Sequence, residues 1–184
     1  FAYLKVRGEN MASFKEIVTK AVVGKGKKYF KNNYSIEVQD KPTTVLGCWV
    51  INHKFSGSKN SSGSVLVNGS FDVNVWYSYD NDKKTAVSTR NFTYNDTMNV
   101  PLKEDHNLTD ASEIIVRCLR QPTVSNVKIE EDTVKLDIEK ELGVEIVGDT
   151  KVKVSVEDDE DDYEEIFDEK EIEEIGDIND DYLN

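Results

Sequence analysis

Ser64–Asp80 reads SVLVNGSFDVNVWYSYD. Val65, Val67, Gly69, Phe71, Val73, Val75, Tyr77 and Tyr79 share one parity; Leu66, Asn68, Ser70, Asp72, Asn74, Trp76 and Ser78, mostly polar, fill the other. Alternate side chains of a strand point to opposite faces, so the run predicts a long strand with one buried side. Gly69, midway, predicts a bulge or bend that lets the run serve two sheet edges. Trp76 falls on the polar parity. That placement suits core packing, a protein interface or a sugar-stacking platform.

On the C-terminal side, Asp80-Asn81-Asp82-Lys83 predicts a hairpin turn. Thr85–Tyr94 returns as a strand, and a short segment over Met98–Leu102 ends at Pro101. Glu113–Leu119 is β-branched and favours strand, stopped by Gln121-Pro122. Val124–Ile129, Val134–Val147 and Lys151–Val156 read as three further strands, with Gly148-Asp149 as a break. On the N-terminal side, GSKNSSG at Gly57–Gly63 is a turn. Val45–Phe55 carries apolar residues on both parities, as in a strand buried on two sides. Tyr34–Val38 is a short strand. Ala12–Lys20 has Phe14, Ile17 and Val18 at helical spacing and predicts a short helix, which runs into a β-leaning Ala21-Val22-Val23 interrupted by Gly24 and Gly26.

Eight to ten short strands with turns between them, and no alternation of strand with helix, predict an all-β chain: an antiparallel β-sandwich or barrel-like body. Met11-Ala12-Ser13 has the form of a natural start, so residues 1–10 are set aside as an extraneous or upstream extension. The body is residues 11–156.

Residues 157–184 differ in kind. They hold sixteen carboxylates against one lysine, Lys170, a net of −15, whereas the 184-residue chain carries −13 and residues 1–156 therefore +2. Like-charge repulsion and few apolar groups cannot offset the entropy of ordering, so a disordered acidic tail is predicted. Tyr163, Ile166, Phe167, Ile172 and Ile175 punctuate it, and Asp158, Asp159, Glu160, Asp161 and Asp162 lead into the first aromatic residue. Such acidic-hydrophobic composition predicts a partner-binding tail. An entropic bristle and weak calcium binding are the alternatives, although the ligand spacing of an EF-hand is absent. Lys25, Lys27 and Lys28 form a basic segment that could dock a neighbour's tail. With Trp49 and Trp76 they are the candidate self-assembly residues.

Little in the chain predicts catalysis. GxSxG, P-loop and HExxH patterns are missing, and His53, His106, Cys48 and Cys118 are too few and too dispersed for a zinc motif. No cofactor or metal is expected. Nor is nucleic acid, because the tail would compete for any basic groove. No apolar run approaches the ~18–20 residues of a membrane span, and the N-terminal stretch lacks the apolar segment of a secretory signal. The six Asn-x-Ser/Thr sequons are read as chance features.

Several segments carry a family likeness: KAVVGKGKK at Lys20–Lys28, KPTTVLGCWVINHK at Lys41–Lys54, FDVNVWYSYD at Phe71–Asp80, Gln121-Pro122, and VEIVGDTKVKV at Val144–Val154. With the acidic tail after them, they resemble the spore outer-coat morphogenetic family CotE of endospore-forming Firmicutes, from Met11 to Asn184. The decapeptide before Met11 and Cys48, where a small residue is expected, depart from the pattern. The resemblance implies a non-enzymatic assembly protein. It would be made in the mother-cell cytoplasm and placed between inner and outer coat. It would self-associate as a homo-oligomer, depend on a basement-layer morphogenetic scaffold and recruit outer-coat client proteins. The rival reading from the residues themselves is a β-sandwich carbohydrate-binding module centred on Trp76.

Overall fold

The computed structural model of the protein describes residues 13–156, which form six strands and no helix. These are β1 (Ser13–Glu37), β2 (Pro42–Lys59), β3 (Val65–Tyr79), β4 (Lys84–Met98), β5 (Glu113–Glu130) and β6 (Thr133–Val156). They make two three-stranded sheets, ordered β1-β6-β5 and β2-β3-β4, with β2–β3, β3–β4 and β5–β6 antiparallel. The chain divides into two compact units. Val18–Val152 is one; the described residues of the other, 13–17 and 153–156, are strand. The extension 1–10 and every predicted tail residue lie outside the described residues.

The core lies within Val18–Val152. Val65, Val67, Phe71, Val73, Val75 and Tyr77 of β3 are buried, as the alternation predicts. Val134, Leu136, Ile138, Leu142, Val144 and Ile146 of β6 form the matching row. Each of these rows belongs to the central strand of its sheet.

The strands are fewer and longer than predicted. Ala12–Lys20 is not a helix: β1 runs unbroken from Ser13 through both glycines and takes in Tyr34. Phe14, Ile17 and Val18 are exposed, so their helical spacing marks no buried face. Gly24 and Gly26 permit close approach of the Val100–Leu102 loop; a Cβ on Gly24 would stand 2.6 Å from Leu102 Cδ2. Pro122 does not end β5. It is buried between register shifts of an edge strand, where a missing N–H is tolerated. Nor does Gly148 divide β6.

Gly69 makes no bulge, since β3 pairs one-to-one with β4 from Val65 to Tyr79. The glycine leaves room for the ring of its cross-strand partner Tyr94, whose Cζ would lie 2.3 Å from an added Cβ. The bulges are in β2 instead, at Thr43, Leu46 and the Asn52-His53 pair. There Leu46, Trp49 and Ile51 are exposed, so β2 is not buried on two sides. The β3–β4 turn falls as predicted, with Asp80, Asn81 and Asp82 all at positive φ, a conformation Asn and Asp accept readily.

Candidate functional site

Three features of the Val18–Val152 unit could carry function. The first is the outer face of β2-β3-β4. Its register places Gly47, Trp76 and Val87 in one row, Trp49, Asn74 and Thr89 in the next, and Ile51, Asp72 and Asn91 in a third. Trp49 and Trp76 are each 43% exposed. Gly47 sits in the gap between their indoles: a Cβ there would lie 3.8 Å from Trp49 and 3.9 Å from Trp76. The bulge at Leu46 keeps Gly47 opposite Trp76, and the bulge at Asn52-His53 keeps Asn52 on the outer face beside Asp72. Asn52, at φ 56°, donates to Asp72 Oδ2 at 2.8 Å, and Asn91 donates to Oδ1 at 2.7 Å. Those two amides hold the Asp72 carboxyl below its ordinary pKa.

The second feature is the outer face of β1-β6-β5, a charge ladder. Acidic residues of β6 stand between basic residues of β1 and β5. Glu145 receives Lys25 at 3.1 Å and Arg117 at 3.4 Å; Glu141 receives Lys27 at 3.8 Å; Glu139 receives Lys31 at 3.5 Å and Arg120 at 3.7 Å. Lys25 and its neighbours hold the Glu145 carboxyl below its ordinary pKa. Lys25 and Lys27 thus sit on this face, each beside a carboxylate of its own chain. Lys28, on the opposite parity, donates to the Thr97 carbonyl at 3.3 Å and lies over the Phe30 ring.

The third lies in the interior. His53 of β2 meets the Tyr94 hydroxyl through Nε2 at 2.7 Å; its Nδ1 lies 3.3 Å from Gln121 Oε1 and 3.7 Å from Cys118 Sγ. Beneath them Lys140, 2% exposed, pairs with Asp96 at 2.9 Å, and its ammonium stands 3.9 Å from the Tyr94 ring centroid. Burial pushes the imidazole's pKa down and the Cys118 thiol's up, so both are neutral near pH 7. A neutral thiol beside a neutral imidazole is a packed polar cluster rather than an activated nucleophile. The thiols of Cys48 and Cys118 are both free.

The sequence reading missed this cluster, although it had a signal. Lys140 shares the parity of Leu136, Ile138, Leu142 and Val144, a position that a lysine occupies only where an acidic partner meets it. Among the described residues no group of three or more His, Cys, Asp or Glu side chains could hold a metal ion. Nor, among the described residues, is any helix long and apolar enough to cross a membrane.

A family model for outer spore coat protein E (CotE) matches residues 13–184. The chain belongs to the CotE family. The match takes in all six strands and the acidic segment that follows, so the resemblance read from the sequence holds over residues 13–184. CotE is a structural family of the spore coat, and membership makes this chain an outer-coat protein of sporulation. No curated protein and no solved structure matches the chain.

Proposed function

We propose that the protein is a non-catalytic scaffold of the endospore coat. The β body assembles with further copies of itself, and residues 157–184 capture outer-coat clients. The observation that carries assembly is the edge strand β4. It pairs with β3 over fifteen consecutive residues without a register shift, and it ends its sheet. The other pairs with a complete register, β2–β3 and β5–β6, each contain three shifts, and β5 adds Pro122. Bulges and prolines are how edge strands avoid strand addition; a long regular edge invites it. Trp49 and Trp76, on the outer face of the same sheet, supply aromatic anchors for further contacts.

The tail assignment rests on composition. The carboxylates from Asp158 to Asp162 and the apolar residues Tyr163, Ile166, Phe167, Ile172 and Ile175 offer charge and hydrophobic contact to basic coat proteins. Many such tails on one assembly give avidity from weak single contacts. In this reading the protein is made in the mother-cell cytoplasm, is placed through a basement-layer morphogenetic scaffold, and ends between inner and outer coat. The test replaces residues 157–184 by a neutral linker of equal length. Oligomers should persist and capture of coat proteins should cease; retained capture overturns the tail's role.

A second reading, a carbohydrate-binding face, is favoured by the two indoles flanking Gly47 beside the Asp72–Asn52–Asn91 network. A glycan array showing no signal that Trp76→Ala reduces would dispose of it.

A further inference from the structure

The outward row of β6 runs Asp137, Glu139, Glu141, Gly143, Glu145, and at Gly143 the row has no side chain. The gap opens a cup of about 420 Å³ lined by Lys25, Lys27, Leu119, Val144, Arg117 and Glu145, together with the two glycines Gly26 and Gly143. Leu119, itself exposed, covers the Gly143 backbone; its Cδ1 would lie 3.1 Å from a Cβ there. The floor is therefore apolar. Three cations stand around it, Lys25, Lys27 and Arg117, against two carboxylates, Glu145 and Glu141, and Glu145 serves both Lys25 and Arg117. An apolar floor under a rim of excess positive charge fits an aromatic side chain flanked by carboxylates.

This chain contains such a segment. Tyr163, Ile166 and Phe167 lie among Asp161, Asp162, Glu164, Glu165, Asp168 and Glu169, within a stretch of net charge −15. We infer that the cup receives the Tyr163–Phe167 segment from a neighbouring copy, a ring entering over Gly143 while its flanking carboxylates meet Lys25, Lys27 and Arg117. The neighbour is the source because β6 leads away from the cup: from Gly143 to Val152 it advances nine residues, roughly 30 Å at ~3.3 Å per residue. A chain's own tail would have to retrace that path. The inference rests on the scaffold reading and gives the recruiting tail a stored state. Docked in a neighbour's cup it is withheld from clients, and a more basic client draws it out by competing for the same carboxylates.

The experiment uses the full chain. Limited chymotrypsin cleavage after Tyr163 and Phe167 is followed by mass spectrometry across a range of protein concentrations, with light scattering on the same samples. Protection of both sites should rise with protein concentration. It should fall about tenfold in Lys27→Glu/Arg117→Glu, as expected when rim attraction becomes repulsion. Lys41→Glu/Lys54→Glu, two reversals at β2 and just before it, should leave it intact. The unmodified protein should lose protection at ~1 M salt, where the screening length is about 3 Å. Cleavage that ignores salt and the Lys27/Arg117 reversal overturns the inference, and protection independent of concentration overturns the neighbour as its source. An oligomer with an unprotected tail contradicts this inference alone, whereas a monomer at every concentration contradicts the scaffold reading.

Discussion

Lys140 Nζ lies 2.9 Å from Asp96 Oδ2, an ion pair that ties the centre of one sheet to the edge of the other. The ammonium is buried between the Tyr94 and Phe30 rings, at 3.9 and 4.8 Å from their centroids. Asp96 Oδ2 has no hydrogen-bond partner among the described residues, so the ion pair is its compensation. Removing either member strands a buried charge, which costs about 3–5 kcal/mol. Urea denaturation of Lys140→Met and of Asp96→Val should show losses in that range. The double replacement should lose far less than their sum; simple additivity would refute the coupling.

Gly69 and Gly47 give a contrast within one sheet. Gly69→Ala drives a methyl into Tyr94 and should destabilise by about 1–3 kcal/mol, the usual cost of overpacking. Gly47→Ala meets its nearest side chain at 3.8 Å, and its effect should stay within about 0.5 kcal/mol. Thermal unfolding of the two variants decides whether the close approach at Gly69 is the constraint.

Stability should depend on pH through His53. Its pKa is lowered in the folded protein, chiefly by burial and also by the Lys140 charge, against a partly opposing hydrogen bond with Gln121. Below its unfolded pKa of about 6.5 the unfolded chain binds the proton more readily. Stability therefore falls as pH drops from 6.5 toward the folded value, then levels. His53→Gln should flatten that slope. Glu130 acts lower: hydrogen bonds from Lys135 and Lys128 hold its pKa at about 2, so its contribution persists above its unfolded value and disappears as pH falls through 2. Denaturation midpoints between pH 8 and 5 test the histidine, and a lower range tests Glu130.

Cys48 and Cys118 are half-buried free thiols with pKa values raised by burial. Because the thiolate is the reactive form, alkylation near neutral pH should be slow in the folded protein and should accelerate on unfolding or at strongly alkaline pH. Rapid modification of the native protein at neutral pH would mean that at least one thiol is freely accessible.

The parity of Val65–Tyr79 made the central strand and its buried face legible, and Trp76 stands outward as its position in the alternation required. Strand length was not legible, because Gly24, Gly26, Gly148 and Pro122 look like breaks in isolation. Their meaning is tertiary. Leu102 presses on Gly24, Val23 packs 3.3 Å from where a Cβ of Gly148 would be, and Pro122 occupies a shifted edge. The interior cluster draws His53, Tyr94, Cys118 and Lys140 from four strands, so no local spacing announces it. Lys25 and Lys27 stood out by composition, but the gap at Gly143 that gives them a shared site depends on the pairing of β5 with β6.

The open edge of β4 is tested most directly by the molar mass of the full chain in solution. Light scattering should give multiples of 20.9 kDa that grow with concentration. Val87→Lys/Thr89→Lys, which crowds that edge with positive charge, should reduce the mass to a single chain while the β-sheet circular dichroism is retained. A native protein of one chain at every concentration, or oligomers unchanged by the two lysines, would contradict assembly through β4.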